Sequence, residues 1–278
     1  MGEITRHLAD GAFTLGMPHL GPQGIGEAWL MRRAAHLHWA ATARHAGCSP
    51  SGLRDATGAR AMASFVSARV TGSLDAFCED DLVDLSLVRP PRPENGWHSR
   101  VLLRRLDGDG TAAVELVSRF ARRGGPSNRR IEAAQMPDEM RSAPEEALPN
   151  AARVLRARAR SLRKAAPPAG APLVSMPVLA EADLNGVGLL YFANFLRFFA
   201  AAEGAALAGS WRVPSVSLRE VHWYGNADAG DRIDLTCALH VSRGTPDLTS
   251  HAFLTARRAS DDTLIAACET IRVLGQAA

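Results

Sequence analysis

Lysine is all but missing from this sequence: Lys164 is the single one, and arginine carries the rest of the basic charge. With 32 basic against 29 acidic residues the net charge is only +3. No basic run is interleaved with aromatics, which argues against a nucleic-acid-binding face and leaves small phosphate-bearing ligands or an acidic carrier as partners. Arginine bias also follows from GC-rich coding alone, and that reading carries more weight. Cysteine pairs are missing too. Cys48, Cys78, Cys237 and Cys268 form no CxxC, so neither a metal site nor a disulfide framework is indicated, and all four read as reduced core residues. Residues 1–10 lack a basic stretch followed by an apolar one, so the expected compartment is the cytoplasm. Tyrosine occurs only at 191 and 224. No uninterrupted apolar run spans a bilayer: the best, residues 183–203, is broken by Asn194 and Arg197.

That same run is the most distinctive stretch present. A polar start, Asp183-Leu184-Asn185, and two glycines, Gly186 and Gly188, precede an apolar segment that predicts a buried central helix. Asp183 or Asn185 would cap it, and the glycines would leave its first amides bare for a carbonyl or phosphate. The stretch has a partner. Met17-Pro18 leads into Gly24-Ile25-Gly26 as Met176-Pro177 leads into Gly186-Val187-Gly188, with Trp29 meeting Tyr191, Leu30 meeting Phe192 and Leu37 meeting Phe199. The match continues from Leu82–Ser86 to Arg232–Thr236 and from Val101–Val114 to Ala252–Ile265. An internal duplication is the result.

Alternation and β-branched content place strands at Phe65–Thr71, Leu82–Leu87, Ser99–Leu106 and Ala112–Ala121, then at Val216–Tyr224, Arg232–Val241, Thr249–Ala256 and Thr263–Leu274. Turn signals at Asp107–Gly110 and Ser260–Asp262 join the last two strands of each set. Each half is therefore one long helix wrapped by an antiparallel meander, an α+β chain with units at 1–122 and 173–278. The linker between, 123–172, holds an arginine-rich helical segment, Leu148–Lys164, read as a solvated connecting helix or, more sharply, as a carrier-docking surface.

Gly16-Met17-Pro18-His19-Leu20, Gly24-Ile25-Gly26-Glu27-Ala28-Trp29-Leu30 with His38-Trp39, and Asn185-Gly186-Val187-Gly188-Leu189-Leu190-Tyr191-Phe192-Ala193 resemble the leinamycin-type acyltransferase/decarboxylase family of polyketide biosynthesis. The resemblance covers residues 12–275. It implies a double hotdog fold, no cofactor, and a CoA thioester, typically methylmalonyl-CoA, decarboxylated and passed to an acyl carrier protein. The family's proposed catalytic tyrosine precedes an Ala-Ser-Phe; here Met62 precedes Ala63-Ser64-Phe65. A hotdog thioesterase or dehydratase, a non-catalytic thioester-binding protein, and pairing of two chains all stay open.

Thioester chemistry needs hydrogen-bond donors where charge builds on the carbonyl oxygen. Asn185, Gly186, Gly188, Gly24 and Gly26 are candidates for that role, with packing as the alternative for each glycine. His19, Glu27 and Asp183 are candidate acids or bases; Asp183 is equally a helix cap. Ser64 is a candidate donor, Met62 a wall of the substrate site, and His38 reads as a packed helix histidine. His36 and His38, two apart on a helix, do not share a face and so make no metal pair. Trp211, Trp223 and Tyr224 are further candidates to line a pocket.

Overall fold

The computed structural model describes residues 11–168, 170–207, 215–243 and 248–274. The first half holds β1 (Ala12–Thr14), the short pair β2 (Leu20–Gly21) and β3 (Gly24–Ile25), helix α1 (Glu27–His45), and strands β4 (Met62–Gly72), β5 (Leu82–Arg89), β6 (His98–Arg105) and β7 (Thr111–Arg123). Next come β8 (Ile131–Ala133) and helix α2 (Asn150–Ala165). The second half holds β9 (Val174–Pro177), a one-turn helix α3 (Ala180–Asp183), helix α4 (Phe195–Ala206), and strands β10 (Val216–Trp223), β11 (Arg232–Arg243), β12 (Leu248–Arg258) and β13 (Thr263–Leu274). All eight long strands lie within three residues of the bounds that alternation predicts.

The strands form one antiparallel sheet ordered β1-β5-β6-β7-β4-β10-β13-β12-β11-β9, with β8 beside β7. Exchanging β1, β5, β6, β7 and β4 for β9, β11, β12, β13 and β10 returns the same order. The duplication thus becomes a pseudo-two-fold, and its axis passes between β4 and β10. These two central strands pair from Leu218–Thr71 to His222–Ser67 and no further.

α1 and α4 share one apolar core on the same face of the sheet, where Leu30, Met31, Phe195, Phe198 and Phe199 are all at most 1% exposed. Each such side chain contributes about 1.5–3 kcal/mol of burial. Along β10 the faces alternate: Arg219 and Val221 point to these helices, while Glu220 meets Arg158 of α2 on the opposite face. α2 is therefore not a merely solvated connector. Ala152, Leu155 and Leu162 are buried against the seam, and the prolines Pro149 and Pro167-Pro168 bound the helix. Its basic face is partly spent inward: Arg158 pairs with Glu220 and Glu269, Arg156 donates to Gly96 O (2.9 Å), and Arg160 pairs with Glu145. No helix among the described residues is long and apolar enough to cross a membrane.

Two expectations need correction. The second central helix starts at Phe195 rather than near Asn185, because Asn185 Oδ1 accepts from the amides of Val187 and Leu189 (3.1 Å each) and folds the chain back. Gly188, at φ +75°, completes that turn, which a helix cannot contain. Among the four free cysteines only Cys268 is buried, and Cys78 is exposed on a loop.

His38 is the packed residue its position suggests. Its ring spans Ser99 Oγ (2.7 Å) and Ser118 Oγ (2.8 Å), fastening α1 to β6 and β7. Burial first, and His98 second, lower its pKa to about 3. The unfolded chain takes up this proton near pH 6.5 while the folded chain refuses it. Stability from this group is therefore complete above pH 6.5 and falls by about 1.4 kcal/mol per pH unit down to pH 3. Urea unfolding at pH 7 and pH 5 should show about 2 kcal/mol more loss in the native protein than in His38→Gln. Equal losses would contradict it.

Candidate active site at the seam

Where the β4–β10 pairing stops, the two strand ends part. Met62–Val66 and Trp223–Asn226 then line a cavity of about 590 Å3, closed by Ala35, His36 and Trp39 of α1 and by the turn 185–192. Consecutive residues of β4, which face opposite sides of a sheet, all contribute, so the cavity passes through the seam rather than lying on one face.

The turn that forms one wall is clamped from the other half. Asn128, 3% exposed, donates from Nδ2 to Gly188 O (2.7 Å) and Ala227 O (3.0 Å), and receives Arg123 Nη2 (2.6 Å). Asp228 holds Asn128 N and Ser127 Oγ (2.6 Å each). Asn226 bonds both backbone groups of Leu190, and Arg32 of α1 reaches Asn194 Oδ1 (2.6 Å). This network positions Asn185 and Tyr191 on the cavity wall.

The polar character of the wall is unusual. Among the described residues no aspartate or glutamate lines it. Tyr191 is mostly buried, and burial raises its pKa, partly offset by Arg32, so the phenol stays protonated. Among the described residues its hydroxyl has no hydrogen-bond partner, and neither has Asn185 Nδ2, whose Oδ1 is committed to the turn. Trp223, 7% exposed, presents an indole N–H with no acceptor. Tyr224 is different: its hydroxyl donates to Ala159 O (2.8 Å), and burial raises its pKa further. Arg60 and Arg119 line the cavity exposed and without an ion pair, whereas Arg129 is held by Asp231 and Asp228.

Of the residues singled out in the sequence, Ser64, Met62, Asn185 and Gly186 meet in this cavity, together with Trp223 and Tyr224. Trp211 lies outside the described residues. The others lie elsewhere. His19 Nδ1 accepts from Gly16 N (2.8 Å), and its ring packs on Phe13 and Trp29. Asp183 is buried, pairs with Arg197 (2.6 Å) and accepts from Leu179 N (2.8 Å) at the end of α3, so it neither lines the cavity nor caps the central helix, which starts only at Phe195. Gly24, at φ +92°, sits where a Cβ would lie 2.0 Å from Leu74 O, and Gly26 N donates to His19 O (2.7 Å). Gly188 carries the Asn128 clamp. The glycines of the first half thus serve close packing, and the residue of α4 that lines the cavity is its first, Phe195. Tyr191 and the arginines were missed, although Tyr191 is one of two tyrosines and stands in register with Trp29.

Glu27 marks a difference between the two halves. The pseudo-two-fold mate of the cavity lies between α4, the chain ahead of α1, β10 and β13. There Arg219, 2% exposed, contacts Glu27 (2.6 Å) and Glu203 (2.9 Å), and Thr270 and Arg272 complete the group around Glu203. The Arg219 Nε–Glu27 contact is one of charge, not an aligned hydrogen bond. Burial raises the Glu27 pKa against the pull of Arg219, while for Glu203 the two arginines outweigh burial and lower it. An ion cluster occupies the position that the cavity occupies in the other half. Among the described residues no group of three or more His, Cys, Asp or Glu is placed to share a metal ion.

No protein-family model matches this sequence, and no curated protein matches it. Solved structures do. A protein described as an oleoyl thioesterase from Lactobacillus plantarum superposes with a TM-score of 0.60 over 95% of both chains at 10% identity. The 12:0-ACP thioesterase from Umbellularia californica gives 0.59 over 94% of this chain and 92% of its own at 14% identity. An acyl-ACP thioesterase from Bacteroides thetaiotaomicron gives 0.54 over 94% and 95% at 10% identity. Likeness at such identities speaks to architecture, and with the palindromic strand order it establishes that this chain has the α+β double hotdog fold.

Proposed function

We propose that the chain is an enzyme acting on acyl thioesters, binding the acyl group in the seam cavity, and that it decarboxylates a malonyl-type CoA thioester and passes the product to an acyl carrier protein in polyketide biosynthesis. The observation that carries the reading is a cavity wall that, among the described residues, presents two uncommitted donors, Tyr191 Oη and Asn185 Nδ2, and no carboxylate. Loss of carbon dioxide needs no base. The bond to the carboxylate breaks, its electron pair moves to the thioester carbonyl as an enolate, and the enolate carbon is then protonated. Tyr191 Oη and Asn185 Nδ2 are the donors for the enolate oxygen, and the apolar side chains beside them, Phe65, Leu190 and Phe192, favour departure of the charged carboxylate as neutral gas. Transfer follows when the carrier thiol attacks the carbonyl and CoA leaves as the thiol. Met62 replaces the phenol that the resembled family uses, and Tyr191 brings one to the same cavity from the opposite half, protonated and so a donor rather than a nucleophile. The cytoplasm is the compartment proposed, with neither nucleic acid nor membrane as partner.

Hydrolysis is the second reading, favoured by the thioesterase descriptions of the superposed structures. His36, on the cavity wall, would then activate water. Intact-mass analysis of a carrier protein incubated with malonyl-, methylmalonyl- and succinyl-CoA separates the two. A loaded carrier lacking the carboxylate supports the first reading, and free acid with unloaded carrier supports the second. Intact CoA thioester and unloaded carrier would remove both.

A further inference from the structure

A second cavity, of about 340 Å3, lies beside the first. Its floor is Trp97, Phe120, Met136 and Met140, all at most 8% exposed, and its polar groups are Gln135, Ser142, Arg141 and Arg156. It contains no aspartate or glutamate, as the first contains none. Arg119 belongs to both linings and is the residue that joins them. It is exposed and has no hydrogen-bond or ion-pair partner among the described residues. The neighbouring Arg122, Arg123, Arg129, Arg141 and Arg156 are by contrast engaged by acceptors of the protein. In the β4–β7 register Arg119 stands directly opposite Ser64, at the mouth of the acyl cavity.

We infer that Arg119 is a phosphate subsite for the pantetheine arm of the substrate, and that the second cavity receives the nucleotide end of CoA. Two adjoining acid-free cavities with an unpaired guanidinium between them match a ligand with an acyl-pantetheine end, a diphosphate middle and an adenosine end. Guanidinium suits phosphate because its planar fork of donors bonds two oxygens at once. A flat adenine ring suits a floor of aromatic and thioether groups. Arg60, on the acyl-cavity side and also unpaired, adds positive charge to the same mouth. The inference rests on the thioester reading with CoA as donor and adds where the chain holds the donor's phosphates and nucleotide: Arg119 and the second cavity, which favour CoA over an arm ending at one phosphate.

Calorimetric binding of CoA, 4′-phosphopantetheine and pantetheine to the full chain tests it without relying on turnover. CoA should bind tightest and pantetheine weakest. Arg119→Ala should weaken CoA and phosphopantetheine about tenfold or more and leave pantetheine unchanged, with partial recovery in Arg119→Lys. Ser142→Glu, a change at an exposed position that sets a carboxylate beside the nucleotide, should weaken CoA alone. Equal binding of pantetheine and CoA, or an Arg119→Ala effect that is the same for all three, would overturn the phosphate subsite. An unchanged CoA affinity in Ser142→Glu would overturn the nucleotide cavity. Binding of none of the three would instead remove the thioester reading on which both stand.

Discussion

Replacing Tyr191 by phenylalanine is expected to lower kcat on a malonyl-type thioester about a hundredfold or more, with little change in KM. The substitution deletes one hydroxyl and keeps the ring that packs on Phe192 at 4.8 Å. A donor aimed at a developing enolate is worth more in the transition state than in the ground state, because charge appears on the oxygen only as the carboxylate leaves. Burial raises the phenol pKa, so the group is a proton donor over the whole working range and its loss should not shift the pH profile. Asn185→Ala would be a poorer probe. It removes the donor but also the two bonds to Val187 and Leu189 that build the turn. Single-turnover kinetics with a thermal melt check the expectation, and an unchanged rate would remove Tyr191 from the chemistry.

Arg219→Met should destabilise the fold by about 3–5 kcal/mol, because it strips the half-buried Glu27 of its counter-charge and leaves the buried Glu203 with Arg272 alone. The loss comes from the stranded carboxylates, not from the missing guanidinium. The triple variant Glu27→Gln, Glu203→Gln, Arg219→Met should therefore recover part of it, since neutral amides no longer need the guanidinium and the remaining cost is the pairing of Arg272 with Glu203. Urea unfolding of the single and triple variants reads this directly. A single variant within about 1 kcal/mol of the native protein would show that the cluster is not tied into the fold as described. The cluster joins the start of α1 to α4 and β10, so its loss should loosen the two halves together, in one transition.

Much of the architecture was legible because the duplication is written in the sequence. Offsets of 150 to 162 residues align helices and strands, and a period-two pattern needs no tertiary knowledge to be read. The start of α4 was not, because a single side chain, Asn185, competes with the helix for its own amides. The site was legible where it coincides with the distinctive stretch at 185–186, with the Met62–Ser64 strand and with the aromatic pair Trp223 and Tyr224. Tyr191, Arg60, Arg119 and Trp223 converge because β4 and β10, 155 residues apart at the Ser67–His222 bond, pair and then separate. No local pattern encodes where a long-range pairing stops. Nor does the duplication say which of its two equivalent clefts is open. The contact of Arg219 with Glu27 and Glu203 is as long-range: Glu27 reads in sequence as a candidate acid, and nothing local marks the other two as its partners.

The central claim is that the thioester binds where β4 and β10 part, with its carbonyl on Tyr191 and Asn185. A crystal structure with a non-cleavable carba(dethia) malonyl-CoA analogue tests it most directly. The account predicts the acyl end between α1 and the 185–192 turn, its carbonyl oxygen within hydrogen-bond reach of Tyr191 Oη and Asn185 Nδ2. An analogue seated anywhere else, or with its carbonyl facing neither residue, would contradict it.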